Sequence, residues 1–104
     1  MKKKHSYHED LMAHLKNPAN ALGFLNACLE DHDKRVFLLG LKDVAEAHGG
    51  MARLARLTKI SREHIYRMLS KTGNPELQTL QVLLHAFGFK MAIEHSSSHR
   101  KKAA

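Results

Sequence analysis

The chain has 104 residues and carries 17 Lys and Arg against 10 Asp and Glu, a net charge of +7. That length suits one domain with a modest core, packed mostly by Leu, Met and Ala because there is no Trp and aromatic residues make up only 6%. No run approaches the roughly 18 apolar residues of a membrane span, and no apolar stretch follows the N-terminal lysines as it would in a signal peptide. The single Cys28 excludes an internal disulfide, so we expect a cytoplasmic protein in which Cys28 is a small buried hydrophobe.

The first 16 residues are basic and rich in histidine, with Leu11, Met12 and Leu15 at a loosely helical spacing. We expect residues 1–16 to be a flexible arm, or an arm that becomes ordered on a partner. The folded domain is then expected at residues 17–95, and residues 96–104 are expected to be a disordered basic tail.

Two helices are predicted in the first half of this domain. Asn17 can cap the first helix, with Pro18 at its first position and Leu22, Leu25 and Leu29 as its apolar stripe. Asp33 can cap the second, which is predicted from about residue 34 to residue 48 and ends at a pair of glycines. Its buried side is predicted to consist of Phe37, Leu38, Leu41, Val44 and Ala45.

Residues 50–71 indicate two short helices joined by a tight turn, which is the pattern of a helix-turn-helix. The first helix carries Met51, Leu54 and Ala55, the turn is Thr58-Lys59-Ile60, and the second helix begins at Ser61, a good N-cap, and carries Ile65, Met68 and Leu69. In this motif the second helix enters the major groove of DNA.

A fifth helix and a strand complete the predicted fold. Gly73-Asn74-Pro75 indicates a loop, a cap and a proline at the first helical position, followed by Leu77, Leu80, Leu84 and Phe87 on one face up to Gly88. Residues 89–94 alternate between apolar and other side chains, which predicts a strand in which Phe89, Met91 and Ile93 share one face. Nothing else in the chain reads as a strand, so we expect this one to pair with its copy in a homodimer, unless it is only a short tail extending the core.

The charge distribution favours DNA as the partner. Between Met51 and Lys71 there are six basic residues against Glu63 alone, a net charge of +5. The two ends of the chain add six more, which leaves five basic against nine acidic residues elsewhere. A basic face this localised suits the neutralisation of phosphates better than a general solubility charge, and the alternative is a merely solvated charged face.

The predicted reading face follows from the side of the second helix that is not buried. It comprises Ser61, Arg62, Glu63, Tyr66, Arg67 and Ser70. Arg62 and Arg67 suit a guanine edge or a phosphate, and Glu63 suits a cytosine amine or an i+4 pair with Arg67. Tyr66 suits a thymine methyl group or a phosphate, or it covers the apolar seam. Lys59 and Lys71 are expected to contact phosphates.

The nine histidines do not indicate a metal site. His95 and His99 are four residues apart but are separated by three serines, and His5, His8 and His14 fall in the expected arm. No phosphate-cradling Gly loop, catalytic triad or carboxylate pair in a cleft can be assembled, so we expect neither a cofactor nor enzymatic activity.

These residues together resemble a known family, the small folded antitoxins of type II toxin–antitoxin (addiction-module) systems with a helix-turn-helix of the Cro/C1 type. The resemblance covers roughly residues 5–94, and it is most specific at residues 60–70 followed by Gly73-Asn74-Pro75. Where the family pattern usually has a turn glycine, this chain has Lys59, which should cost of order 1 kcal/mol if φ is positive there.

The resemblance implies an all-α, five-helix, lambda-repressor-like domain with a short C-terminal β-strand for dimerisation. It also implies a homodimer that represses its own operon and neutralises a RelE-like toxin that cleaves messenger RNA. Two alternatives remain open. One is a module that masks a toxin through residues 1–16 and the acidic first half with little specific DNA binding, and the other is a stand-alone phage-type repressor with no toxin partner.

Overall fold

The computed structural model describes residues 6–96. All of the regular secondary structure in this range is helical. Six helices follow one another as α1 (Tyr7–Leu15), α2 (Pro18–Leu29), α3 (Lys34–Ala47), α4 (Gly50–Thr58), α5 (Arg62–Met68) and α6 (Leu77–Ala86). The prediction of five helices was therefore short by one, because the first helix lies in the segment expected to be a flexible arm. The predicted tail beyond residue 96 lies outside the described residues.

No strand occurs between residues 6 and 96, and residues 89–96 have no regular secondary structure. The predicted strand at residues 89–94 is thus absent from the single chain. A strand exists only when its backbone groups pair with a neighbour, and this segment has none within residues 6–96.

Helix α1 forms because its start is capped twice and its end is buried. The Ser6 hydroxyl accepts from the Glu9 amide at 3.1 Å, while the Glu9 carboxylate accepts from the Ser6 amide at 3.1 Å, which is a capping box. Leu15, in the last turn, is completely buried. Two side chains then bind the final carbonyls: Asn20 Nδ2 donates to His14 at 3.0 Å, and His48 Nε2 donates to Leu15 at 2.6 Å.

The caps of α2 and α3 are those that the sequence predicts. Asn17 Oδ1 accepts from the Ala19 amide at 2.8 Å, and Asp33 Oδ1 accepts from the Arg35 amide at 3.0 Å. The predicted stripe of α2 is only partly right. Leu25 is buried, with Ala21 as its neighbour on the same face, whereas Leu22 and Leu29 are exposed.

Helix α3 is the centre of the fold and packs against α1, α2 and α4. All five residues predicted for its buried side are buried. It approaches α2 closely at Gly40, where a Cβ atom would lie 2.8 Å from Cys28 Sγ. Gly49 and Gly50, with φ of 107° and 88°, end α3 and begin α4 as the pair of glycines predicts.

Helix α6 begins later than predicted. Its N-cap is Glu76, so Pro75 precedes the cap instead of occupying the first helical position. Leu83 and Leu84 are buried, and Leu80 and Phe87 of the predicted stripe pack against the core, whereas Leu77, in the first turn, is exposed. At its C-terminus the Gly88 amide donates to His85 and the Phe89 amide to Leu84, each at 2.9 Å, a Schellman motif that returns Phe89 to the core.

Candidate nucleic-acid interface

Helices α4 and α5 are two short helices joined by a tight turn and held by a shared apolar seam. Met51 and Leu54 of α4 are buried together with Ile65 and Met68 of α5, and Ile60 packs against the same cluster from the turn. Burying side chains of this size contributes roughly 1.5–3 kcal/mol each, which fixes the angle between two helices too short to be stable alone.

The turn between α4 and α5 is closed by hydrogen bonds. Thr58 Oγ1 donates to the Leu54 carbonyl at 2.8 Å and accepts from the Ile60 amide at 3.3 Å. Lys59 has φ 65° and ψ 23°, the left-handed conformation anticipated for a turn position that usually holds glycine. Ser61 then caps α5, its hydroxyl accepting from the His64 amide at 3.1 Å.

A glycine closes the other end of α5. A Cβ atom on Gly73 would lie 1.9 Å from the Met68 carbonyl oxygen, so no side chain fits there. Gly73 also donates its amide to the Ser70 carbonyl at 2.9 Å. The chain therefore leaves α5 in a tight loop that requires glycine at position 73.

The exposed side of α5, which we call the α5 face, carries the side chains that the sequence predicts to read DNA. Ser61, Arg62, Glu63, Tyr66 and Arg67 are all exposed, and so are the flanking Lys59 and Lys71. Neither Arg62 nor Arg67 forms an ion pair within residues 6–96, so the anticipated Glu63–Arg67 pair is absent and both guanidinium groups are free for a ligand.

Ser70 differs from the rest of the predicted set. It is half-buried, and its hydroxyl donates to the Arg67 carbonyl at 2.8 Å. In this conformation Ser70 provides a hydrogen-bond donor to a carbonyl in the last turn of α5, and so acts as a C-terminal cap.

Helix α3 contributes two lysines beside α5 that sequence reasoning did not include. Lys42 Nζ lies 5.7 Å from the centre of the Tyr66 ring, a cation–π contact. Lys34 Nζ donates to Asn74 Oδ1 at 3.0 Å in the loop after α5. Both lysines are far from α5 in the sequence, so no local pattern could have indicated their positions.

Arg53 belongs to the basic segment but has a structural contact. Its Nη1 donates to the His48 carbonyl at 3.0 Å, at the end of α3. Because His48 also binds the Leu15 carbonyl and its ring lies against Phe87 edge-on, this arginine is tied to the junction of α1, α3 and α6.

Helix α3 places two carboxylates beside α1. His8 Nε2 and Glu46 Oε2 are 3.0 Å apart, and Asp43 lies close to both. Burial and the Glu46 carboxylate raise the pKa of Asp43, an effect that His8 and Lys42 partly oppose.

No alternative chemistry is assembled in the described part of the chain. Within residues 6–96, no three His, Cys, Asp or Glu side chains converge as metal ligands would, and His5 and His99 lie outside this range. Burial, aided by the carboxylates of Asp43 and Asp31, raises the pKa of the Cys28 thiol and so disfavours the nucleophilic thiolate. Across the same residues, no helix is long and apolar enough to cross a membrane.

Comparison with known proteins decides the family. Residues 6–95 match the sequence profile of a family described as probable addiction module antidote proteins. The chain belongs to this family. The antidote protein is also similar to a protein of Haemophilus influenzae described only as uncharacterized, with 32% identity over 87 residues that cover 84% of this chain and 89% of that protein. No solved structure matches.

Family membership confirms part of what the sequence predicted. The chain is a non-enzymatic antitoxin of a toxin–antitoxin system, and its partner is a cognate toxin. A stand-alone repressor without a toxin is correspondingly disfavoured.

Proposed function

We propose that this antitoxin is a dimeric autorepressor that binds operator DNA through the α5 face and neutralises a RelE-like toxin that cleaves messenger RNA. The observation that carries the DNA-binding half is the α5 face itself, where unpaired Arg62 and Arg67 project from a helix fixed by a buried seam and a capped turn. We assign the motif to the Cro/C1 type, and the protein to the cytoplasm, at the nucleoid when bound to DNA.

The roles of the side chains follow from their chemistry. Arg62 and Arg67 each present a planar guanidinium fork that matches the two acceptors of a guanine edge, and Glu63 suits the cytosine amine. Ser61 and Ser70, at the two ends of α5, suit phosphate or base contacts through their hydroxyls, and Ser70 must release Arg67 to do so.

The remaining members of the interface position the protein on the duplex. Tyr66 suits a thymine methyl group, with Lys42 holding its ring from α3. Lys59 and Lys71, at either end of α5, suit phosphates on opposite edges of the groove. In a two-fold dimer, the two α5 helices are expected about 34 Å apart, one turn of B-DNA, and the operator is expected to be palindromic.

The test is a titration of a fluorescent duplex from the region upstream of the chain's own gene, compared with a scrambled duplex at several salt concentrations. Arg67→Ala should weaken operator binding by about 1–3 kcal/mol and relax base preference at one position of each half-site. The matched control is Arg56→Ala, which removes the same charge from α4 outside the α5 face and should spare base preference. Equal affinity of wild type for both duplexes would contradict sequence-specific repression.

A second candidate function is a toxin-masking module with little specific DNA binding. It is favoured by the carboxylates of Asp43 and Glu46 beside α1, which suit a basic toxin, and by Tyr7, which is 79% exposed at the start of α1. Deleting residues 1–16 cannot test this, since the deletion removes the buried Leu15. Tyr7→Ala should instead weaken toxin binding and leave operator affinity unchanged, the converse of Arg67→Ala. Loss of DNA affinity with Tyr7→Ala would contradict this division of surfaces.

A further inference from the structure

Lys42 of α3 differs from the other basic residues in its burial. Among residues 6–96 it is the one lysine or arginine that is partly buried, and every other described lysine and arginine is exposed. Withdrawing a charged group from water costs free energy unless a partner compensates it. No carboxylate within residues 6–96 forms an ion pair with Lys42, so its partner must be of another kind.

That partner is the aromatic ring of Tyr66 on α5. The Lys42 ammonium nitrogen lies 5.7 Å from the centre of the ring, within the limit of about 6 Å for a cation–π contact. Tyr66 itself is 44% exposed, so the ring is partly covered and partly open to a ligand. Lys42 also lowers the pKa of Asp43, which shows that a carboxylate is near the ammonium group without pairing with it.

The contact connects α5 to a helix outside the α4–α5 unit. Helix α5 has only seven residues and packs against α4, whereas Lys42 belongs to α3. A second lysine of α3, Lys34, donates to Asn74 Oδ1 in the loop after α5. Residues eight positions apart in a helix are separated by about 12 Å along its axis. Helix α3 therefore holds α5 at two separate points, one of which is Tyr66.

Holding the Tyr66 ring matters because of its place on the α5 face. Tyr66 lies one helical turn after Arg62 and next to Arg67, in the middle of the residues expected to read bases. An exposed tyrosine can occupy several rotamers, and a cation against the ring favours one of them. A side chain that is already held loses less entropy on binding. The open part of the ring is apolar, which suits the methyl group of a thymine.

We propose that Lys42 is a positioning residue for base recognition, whose ammonium group holds the Tyr66 ring in the orientation that contacts the methyl group of a thymine. The proposal rests on the DNA binding in the proposed function and deepens it, since recognition of one base then depends on a residue of α3. Lys42 acts through Tyr66 and does not itself contact the duplex.

Burial separates Lys42 from the lysines expected to bind phosphates. Lys59 and Lys71, at the two ends of α5, are exposed and free to approach the DNA backbone. The ammonium group of Lys42 would have to leave the ring to bind a phosphate, which would release Tyr66. The two roles therefore differ in salt dependence, because only a phosphate contact releases a counterion.

The test compares operator duplexes in which each thymine of one half-site is replaced in turn by uracil, which lacks only the methyl group. Wild type should lose affinity about 4-fold at one of these positions, the value of one buried methyl group. Lys42→Gln should abolish this difference and leave the salt slope unchanged. Lys42→Arg retains a cation and should restore the difference, and Tyr66→Phe, which retains the ring, should keep it.

The matched control is Lys34→Gln. It removes the same charge from the same helix but leaves the Lys42–Tyr66 contact intact, so the preference for thymine over uracil should persist. The measured quantity is a ratio of two affinities of one variant. A loss of folded protein changes both affinities equally and cannot imitate the expected result.

A Lys42→Gln protein that keeps the wild-type preference for thymine would overturn the proposal. So would a salt slope lowered by about 1 in that variant, which would assign Lys42 to a phosphate. A wild type that prefers its operator to a scrambled duplex but tolerates uracil at every thymine would overturn this proposal alone. Equal binding to operator and scrambled duplexes would instead mark the failure of the proposed function, and of this proposal with it.

Discussion

Lys59, in the turn before α5, has a left-handed backbone conformation that is unfavourable for a residue with a side chain. It is the one non-glycine with positive φ among residues 6–96, and its amide still donates to the Ala55 carbonyl at 2.8 Å. The left-handed conformation costs a residue with a Cβ atom about 1 kcal/mol relative to glycine. The exposed amine at the entrance to α5 gives the proposed interface a cation in exchange.

Replacing Lys59 with glycine should raise the stability of the protein and weaken its binding to DNA. Lys59→Gly is expected to raise the free energy of unfolding by up to about 1 kcal/mol, as measured in urea, since it relieves the strained φ. It should also weaken binding to operator and scrambled duplexes alike and reduce the salt slope by about 1.

The matched control for this prediction is Lys59→Ala, which removes the amine but keeps the Cβ atom. It should lose the same DNA affinity without the gain in stability. A Lys59→Gly protein no more stable than Lys59→Ala would show that the turn is not strained.

For single residues, the sequence predicts best those contacts that are made between neighbours along the chain. Asn17, Asp33 and Ser61 cap their helices as predicted, because a cap needs only the next two or three amides. The contacts of Lys42 with Tyr66 and of His48 with Leu15 join residues 24 and 33 positions apart, and no local pattern records them.

At the scale of elements, α1 is the main departure from expectation. Its composition suggested an arm, but Leu15 is completely buried and the last two carbonyls of the helix are bound by Asn20 and His48. Short amphipathic helices are weak on their own, so their stability comes from the surface on which they pack. That surface, on α3, was not available to sequence reasoning.

His48 is expected to hold α1 in place. His48→Ala leaves the buried Leu15 carbonyl without its donor, which should lower the free energy of opening α1 by about 1–3 kcal/mol, as measured by amide hydrogen exchange. His32→Ala, in the exposed loop between α2 and α3, is the control and should leave exchange in α1 unchanged. Faster exchange in α5 with unchanged exchange in α1 would be inconsistent with this role.

Helix α6 was predicted with its core-facing side largely right but its start too early. Pro75 precedes the Glu76 N-cap, so Leu77 lies in the first turn and is exposed, while Leu80, Leu84 and Phe87 pack in or against the core. The predicted strand after α6 is wrong for a different reason, since no segment within residues 6–96 pairs with residues 89–94 and alternation in the sequence does not reveal a pairing partner.

For the whole molecule, acid stability should depend on Asp33. The hydrogen bond from the Arg35 side chain lowers the pKa of Asp33 from 3.8 to about 2. A carboxyl whose pKa is depressed by folding stabilises the protein above its ordinary pKa, and this contribution is lost as the pH falls from about 4 to about 2. Asp33→Asn keeps an acceptor at the N-cap but cannot ionise, so unfolding free energy should fall less steeply across that range.

Arg35→Ala is the matched variant for this prediction. It removes the donor and keeps the carboxylate, and it should flatten the same part of the curve of unfolding free energy against pH. An unchanged slope in both variants would assign the acid sensitivity to other carboxylates.

The close approach of α2 and α3 has a practical consequence. Cys28 is the single thiol of the chain, its Sγ occupies the space that a side chain at position 40 would need, and burial raises its pKa. Cys28 is half-buried and alkylating reagents attack the thiolate, so the thiol should react more slowly than an exposed cysteine and faster when these two helices separate. The rate of covalent labelling at the Cys28 sulfur therefore reports on how often α2 and α3 separate.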